Sequence, residues 1–276
     1  MAAIDAIVNL GAEHVAAGFE LSSEAGWNQT EDDWRLMIAH GHAIGVMDAG
    51  ELIASALALP YGDISWISMV LVTPAHQRRG LAGRMIADCL GWLGKDNITA
   101  VLDATPAGSE VYRRLDFHTV RRMTRWQRRL PETGFTRLPL VLPQATLADI
   151  AALDRRAIGG DRRFLLADML ARPDRIALSD AGARAFALSR RGRIATQLGP
   201  ITAETPRLAL EMLDAALTRA GAPVFIDAFD DQAEFSNHLQ SRGFVAQRSF
   251  ERMARGARRD IGDPKLSFAA AGPELG

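Results

Sequence analysis

The sequence predicts a mixed α/β protein built as two similar halves. Three observations lead there. Strand-like and helix-like apolar patterns alternate along the chain, the pattern recurs about 125 residues later, and a proline-rich stretch separates the copies. At 276 residues the chain has room for two ordinary domains. Hydrophobic residues make up 48% and charged residues 24%, a globular composition rather than a disordered one.

In the first half, Thr30 followed by Glu31, Asp32 and Asp33 predicts a helix start, with a hydroxyl cap and acids at the positive end of the dipole. Residues 42–47 and 52–60 read as strands joined by a turn at Asp48-Ala49-Gly50. Residues 64–72 form the next strand, stopped by Pro74. After a short basic turn, Leu81, Met85, Cys89 and Leu93 recur every four residues, which is a helix stripe facing a core. Residues 100–103 then read as a strand, 109–115 as a short helix and 117–127 as a closing strand. This first domain spans 1–129. Pro131, Pro139 and Pro143 mark a linker over 130–143.

The second domain, 144–256, opens with a helix after Thr146 and follows the same plan. Residues 193–200 are a strand ending in proline, and Thr205-Pro206 starts a helix by cap and first-turn proline. Residues 224–227 end in aspartate as 100–103 do. Asp231 to Glu234 starts a helix that buries Phe235 and Leu239, and Arg242-Gly243-Phe244 matches Leu115-Asp116-Phe117. Residues 257–276 form a tail, either free or docked.

The most informative passage runs from Val72 to Gly83, where strand, turn and helix start meet. Fresh helix N-termini present unsatisfied N–H groups and about half a positive charge. Gly80 and Ala82 let a diphosphate approach the main chain, and Arg78 and Arg79 add mobile charge. The string Gln77-x-x-Gly80-x-Ala82 after such a strand resembles the acyl-CoA signature of the GNAT N-acyltransferase superfamily. A second segment, Tyr112-Arg113-Arg114-Leu115-Asp116-Phe117, is similar to the GNAT stretch in which a helical tyrosine precedes Gly-Phe. Asp116 stands where glycine is usual, and aspartate tolerates the left-handed conformation needed there.

The resemblance implies two GNAT-like domains, each a twisted mixed sheet flanked by helices, with the first catalytic and the second degenerate. It implies acetyl-CoA as donor, no metal, and transfer of acetyl to the amine of a small molecule by direct attack. Met69, Val70, Leu71 and Val72 would bond the pantetheine arm, and one of their N–H groups would polarise the thioester carbonyl. Gln77, Arg78, Arg79, Gly80, Leu81, Ala82 and Gly83 would hold the diphosphate. Tyr112 would protonate the departing thiolate. In the second copy, Ile201 to Thr205 replaces the basic turn with a stretch lacking glycine and arginine and containing Glu204, which would repel a diphosphate.

Acceptor candidates are Glu24, Trp27 and Asn28, with Asp63, Trp66 and Ser68 opposite the cofactor. An acid, an indole and an amide could read an ammonium group, although Trp27 could equally cover the core. Asp161-Arg162-Arg163 could reach a pocket between the domains. Two other functions remain open: a non-catalytic acyl-CoA-binding or regulatory module, and an acyltransferase acting on a non-amine acceptor.

The net charge of −1 argues against a nucleic-acid partner. No apolar run approaches the roughly 18 residues of a membrane span, no signal peptide opens the chain, and Cys89 has no partner for an internal disulfide. A cytoplasmic protein is therefore expected, and a homodimer is compatible with it. His40 and His42 lack a third ligand, and Cys89 belongs to the apolar helix stripe. Seven arginines between Arg113 and Arg129 read as a basic face of solvated strand edges.

Overall fold

The computed structural model describes residues 6–94, 98–129, 145–256 and 261–276. The linker expected over 130–143 lies outside the described residues, as do residues 257–260 of the expected tail.

The first half runs β1 (Ile7–Asn9), α1 (Val15–Glu24), α2 (Glu31–His40), β2 (His42–Asp48), β3 (Glu51–Pro60), β4 (Ile64–Val72), α3 (Leu81–Leu93), β5 (Thr99–Ala104), α4 (Pro106–Arg113) and β6 (His118–Arg128). The second half runs α5 (Leu147–Ile158), α6 (Arg163–Ala171), β7 (Ala177–Ser179), β8 (Ala185–Arg191), β9 (Thr196–Ala203), α7 (Pro206–Leu217), β10 (Val224–Phe229), α8 (Ala233–Ser241), β11 (Val245–Arg255) and β12 (Ser267–Ala270). Local chemistry explains many boundaries. Thr30 accepts from Asp33 N while the Asp33 carboxylate accepts from Thr30 N at 2.8 Å, and Thr146 with Asp149 repeats that reciprocal cap. The α3 stripe is buried as its spacing requires, and each buried Leu, Met or Ile contributes about 1.5–3 kcal/mol.

Strands of both halves join one sheet in the order β1-β2-β3-β4-β5-β11-β6-β10-β12-β9-β8-β7. The halves exchange their closing strands. β11 of the second half lies beside β5 of the first, and β6 of the first lies beside β10 of the second. Where β11 meets β6, Met123 faces Phe250, and Arg121 faces Arg252 as Arg125 faces Arg248. That register describes a pseudo-twofold axis between the two strands.

Exchange corrects the expectation that the arginines of 113–129 are solvated strand edges. β6 is an interior strand, and Arg113, Arg121 and Arg125 find acids from the other half, while Arg114, Arg122 and Arg129 stay exposed. Arg125 makes two 2.8 Å hydrogen bonds to Asp227, Arg121 binds Asp231, and Arg113 binds Glu251. Arg252, the counterpart of Arg125, returns the favour with two 2.9 Å bonds to Asp103.

One further reading changes, and one left open is decided. The strand expected over 193–200 begins at Thr196 and continues through Pro200 to Ala203. It tolerates the proline because the β8–β9 register slips at that point, so a missing N–H costs no ladder bond. The tail docks rather than dangles: β12 lies between β9 and β10, and Phe268, Ala271 and Leu275 are buried.

Candidate acyl-transfer site

β4 and β5 are parallel and pair only at Ile64–Thr99, Ser65–Ala100 and Trp66–Val101. Beyond Trp66 they separate. A strand paired on one edge directs alternate N–H and C=O groups of its other edge into the gap. The β3–β4 register also slips, so that Met69 and Val70 oppose a single residue, Ala56. Met69 takes a positive φ of 52°, and Ser55 Oγ donates to its carbonyl at 2.7 Å. Such a bulge turns the strand and re-aims its amides.

A cavity of about 170 Å³ fills the gap. Ile67, Ser68, Met69 and Val70 line one wall, Leu102 to Thr105 the other, and Tyr112 the end of α4. Two buried oxygens in its lining, Ser68 Oγ and Gln29 Oε1, have no hydrogen-bond partner among the described residues. Unpaired buried polar atoms facing a cavity mark where a ligand or water belongs. Burial, with a smaller contribution from Cys89, pushes the Tyr112 phenol up to about 12, so it stays protonated at neutral pH. Its ring meets Phe117 edge-on at 5.8 Å, and Asp116 ends the turn at φ 63°.

The basic turn leads from this gap to the start of α3. Gly80 is the N-cap at φ 78°, and no side chain caps the helix. Arg78, Arg79 and Gly80 are exposed, and Gln77 donates to the Val72 carbonyl at 3.2 Å. Cβ atoms built at Gly80 and Gly83 would meet nothing within 4 Å, so the first turn of α3 is open to a ligand. The positive φ of Gly80 is one that glycine adopts without strain.

The second half preserves this geometry and closes it. β9 and β10 pair in parallel only at Thr196–Val224 and Gln197–Phe225, then separate. The slip in β9 falls at Gly199-Pro200, so Pro200 stands where β4 has Val70 and offers no N–H. β12 occupies the gap. At the start of α7, Thr205 caps the helix by accepting from Leu208 N.

The acceptor candidates scatter. Trp27 and Ser68 line the cavity, as does Asn28. The Asn28 amide is already committed to the β8–β9 turn: Oδ1 accepts from Ile194 N and Ala195 N, and Nδ2 donates to the Ala195 carbonyl. Glu24 is exposed at the end of α1, apart from the cavity lining. Trp66, expected at the acceptor site, is fully buried instead; its Nε1 donates to Pro273 O and Arg252 lies 4.5 Å over its ring. Arg162 is buried beneath the tail, paired with Asp154 and donating to Leu275 O, while Asp161 and Arg163 pair with each other at the surface. Leu71 is buried in one core and Val72 packs against another.

Sequence reasoning missed four cavity residues that arrive by exchange and docking. Arg248 and Phe250 come from β11, and Pro273 and Glu274 extend from β12. Arg190 ties Glu274 to Asp33 of α2, linking tail and first half through buried charges. The legible signal was local, the seven arginines between Arg113 and Arg129 with few acids beside them. Among the described residues no group of His, Cys, Asp and Glu could hold a metal ion, and no helix is long and apolar enough to cross a membrane.

Comparison with known proteins agrees with this geometry. A family model described as "Acetyltransferase (GNAT) family" matches residues 12–117, and one described as "Acetyltransferase (GNAT) domain" matches 150–265. The chain belongs to the GNAT acetyltransferase family. It carries two GNAT domains in tandem. A GNAT relative from Bacillus subtilis (strain 168), the uncharacterized N-acetyltransferase YitH, is 25% identical over 253 residues, covering 88% of this chain and 89% of that protein. A putative acetyltransferase from Pyrococcus horikoshii shares the fold with a TM-score of 0.84 at 18% identity, over 98% of this chain and 95% of the other. A tandem GNAT protein from the clavulanic acid biosynthesis pathway aligns with a TM-score of 0.60 at 15% identity, over 94% and 99%. The family uses acetyl-CoA, and the open β4–β5 gap, the uncapped α3 start and the unpaired Ser68 hydroxyl suit it.

Proposed function

We propose that the first half transfers the acetyl group of acetyl-CoA directly to the amine of a small molecule, and that the second half holds no coenzyme. One contrast carries the reading. The same strand gap is open beside β4 and filled by β12 beside β9, with Pro200 removing the amide that Val70 keeps.

Acetyl-CoA, as donor substrate, brings an activated thioester. The first turn of α3 and the exposed Arg78 and Arg79 attract its diphosphate. The free edge of β4 around the Met69–Val70 bulge offers main-chain N–H groups for its pantetheine arm and for the negative charge that builds on the carbonyl oxygen. Tyr112 holds a proton for the leaving sulfur, while the attacking amine loses its own to water. An exchange-competent base is absent from the cavity as described: Asp103 is bound to Arg252 and Glu274 to Arg190. The acceptor then reacts through the neutral fraction of its amine present in solution, which grows with pH.

The test is a thiol-release screen with acetyl-CoA against small amines, alcohols and thiols, with product masses. N-acetylated products and one bound coenzyme per chain by calorimetry are expected. Coenzyme binding without thiol release from any acceptor would leave a binding module instead, and O-acetyl products would replace the amine.

A further inference from the structure

A second cavity, of about 340 Å³, adjoins the first and shares Asn28, Arg125 and Arg248 with it. Gln127, Arg129 and Gln247 add to its lining. Together they lead from the surface to the β4–β5 gap along a wall of cations. Arg125 is spoken for by Asp227, whose other oxygen also accepts from Gln197. Arg248 is not. It makes no described hydrogen bond or ion pair, its Nε is buried without a partner, and its guanidinium stacks 5.1 Å over Phe250. Burial and the facing Arg125 both lower its pKa, a strain that an added anion would relieve.

The chain contains its own control for this position. Across the pseudo-twofold axis Arg248 corresponds to Arg121, since Arg125 faces Arg248 and Arg121 faces Arg252. Arg121 is saturated. Its Nε and Nη2 grip both oxygens of Asp231, and Nη2 also donates to the carbonyls of Pro264 and Ser267 in the docked tail. At the corresponding turn of the first half, Ala104-Thr105-Pro106-Ala107, there is no acid, and among the described residues no strand of the tail pairs in the gap. Where the site is closed, this arginine binds a carboxylate. Where it is open, the carboxylate is missing.

We propose that the acceptor itself supplies that carboxylate: an amino acid or similar amino carboxylate, gripped by Arg248, with its amine directed toward the free edge of β4. The inference rests on the transfer reading above and names its substrate class. Arg248 lines both cavities and Arg129 the outer one, a cationic wall that favours an anionic end and repels polyamines and amino sugars without an acid. A planar guanidinium matches a carboxylate with two parallel hydrogen bonds.

The experiment compares each amino acid with its carboxamide and its decarboxylated amine in the thiol-release assay, using the full chain and Arg248→Gln and Arg248→Lys. The wild type is expected to prefer the carboxylate by roughly 10²-fold or more in kcat/KM. Arg248→Gln should raise KM for the carboxylate by roughly 10²-fold and lower the weak carboxamide rate far less, with Arg248→Lys in between. Equal use of carboxylate and carboxamide by the wild type, or equal loss of both in Arg248→Gln, overturns the proposal. A second readout needs no turnover: calorimetric titration of the coenzyme-A-loaded protein with N-acetyl amino acids against their amides. Binding of the acids alone, abolished in Arg248→Gln, supports the carboxylate site even if no amine is acetylated, in which case the transfer reading fails by itself. No preference for the acids in that titration overturns the site whatever the activity.

Discussion

Removing one oxygen tests the chemistry at its centre. Tyr112→Phe keeps the ring that meets Phe117 at 5.8 Å and deletes the hydroxyl of a phenol that burial has pushed up to about 12. The shift from 10 to about 12 makes ionising this phenol costlier by about 2.7 kcal/mol than for a tyrosine in water. A thiolate whose conjugate acid has a pKa of about 8.5 cannot by itself draw the proton fully from such a group. Tyr112 therefore acts through a strong hydrogen bond to the sulfur as its charge develops, worth about 1.5–3 kcal/mol, with full transfer coupled to proton loss by the amine. The variant should lose roughly 10–10² in kcat, toward the low end of general-acid effects. Its coenzyme affinity should stay within a few-fold by calorimetry. The wild-type pH–rate profile should also show no fall near pH 10 from this phenol, because the proton is held beyond that range. Wild-type kcat in Tyr112→Phe, or an alkaline limb near pH 10 that the variant abolishes, would refute this reasoning.

Gly80→Val should weaken coenzyme A binding by roughly 10–10²-fold, because a β-branched residue at φ 78° costs about 1–3 kcal/mol and relaxing it swings the α3 amides away. Gly80→Asn should lose much less, and unchanged calorimetric affinity in Gly80→Val would remove this turn from the site. Asp227→Ala should destabilise the chain by about 3–5 kcal/mol by leaving the buried Arg125 unpaired, while Asp227→Ala with Arg125→Met should recover part of the loss in thermal melts. Glu251 accepts from Thr119 and from Arg113, which together hold its carboxyl below the usual range. Its contribution is present above the unfolded pKa and is lost as pH falls through the folded one, so Glu251→Gln should cost less than about 1 kcal/mol at pH 7 and nothing at the acid end.

Much of the fold was legible because it depends on local chemistry. The cap at Thr30, the stripe on α3 and the glycine before it each act over one or two turns, and each lies where its pattern demands. The exchange was not legible. A strand such as β6 has the same period-two pattern whichever sheet edge it joins, and only the distant acids Asp227 and Asp231 reveal its neighbour. Met69 adopts a positive φ that its side chain does not favour; the bulge and the Ser55 hydroxyl impose it. Ser267 to Ala270 has little strand propensity of its own and becomes β12 because two flanking strands leave a slot for it. For the same reason Arg248 and Glu274 escaped notice: each reaches the cavity from another part of the chain.

Exchange of the closing strands also makes each half wait on the other for its last partner. When β6 emerges, its arginines have no acids to meet, and the edge of β5 lies bare until residues beyond 245 follow. Severing the chain at the linker would give two fragments, each holding a strand meant for its sibling and each exposing an unfinished sheet. Neither half of the sheet is complete without a strand from the other.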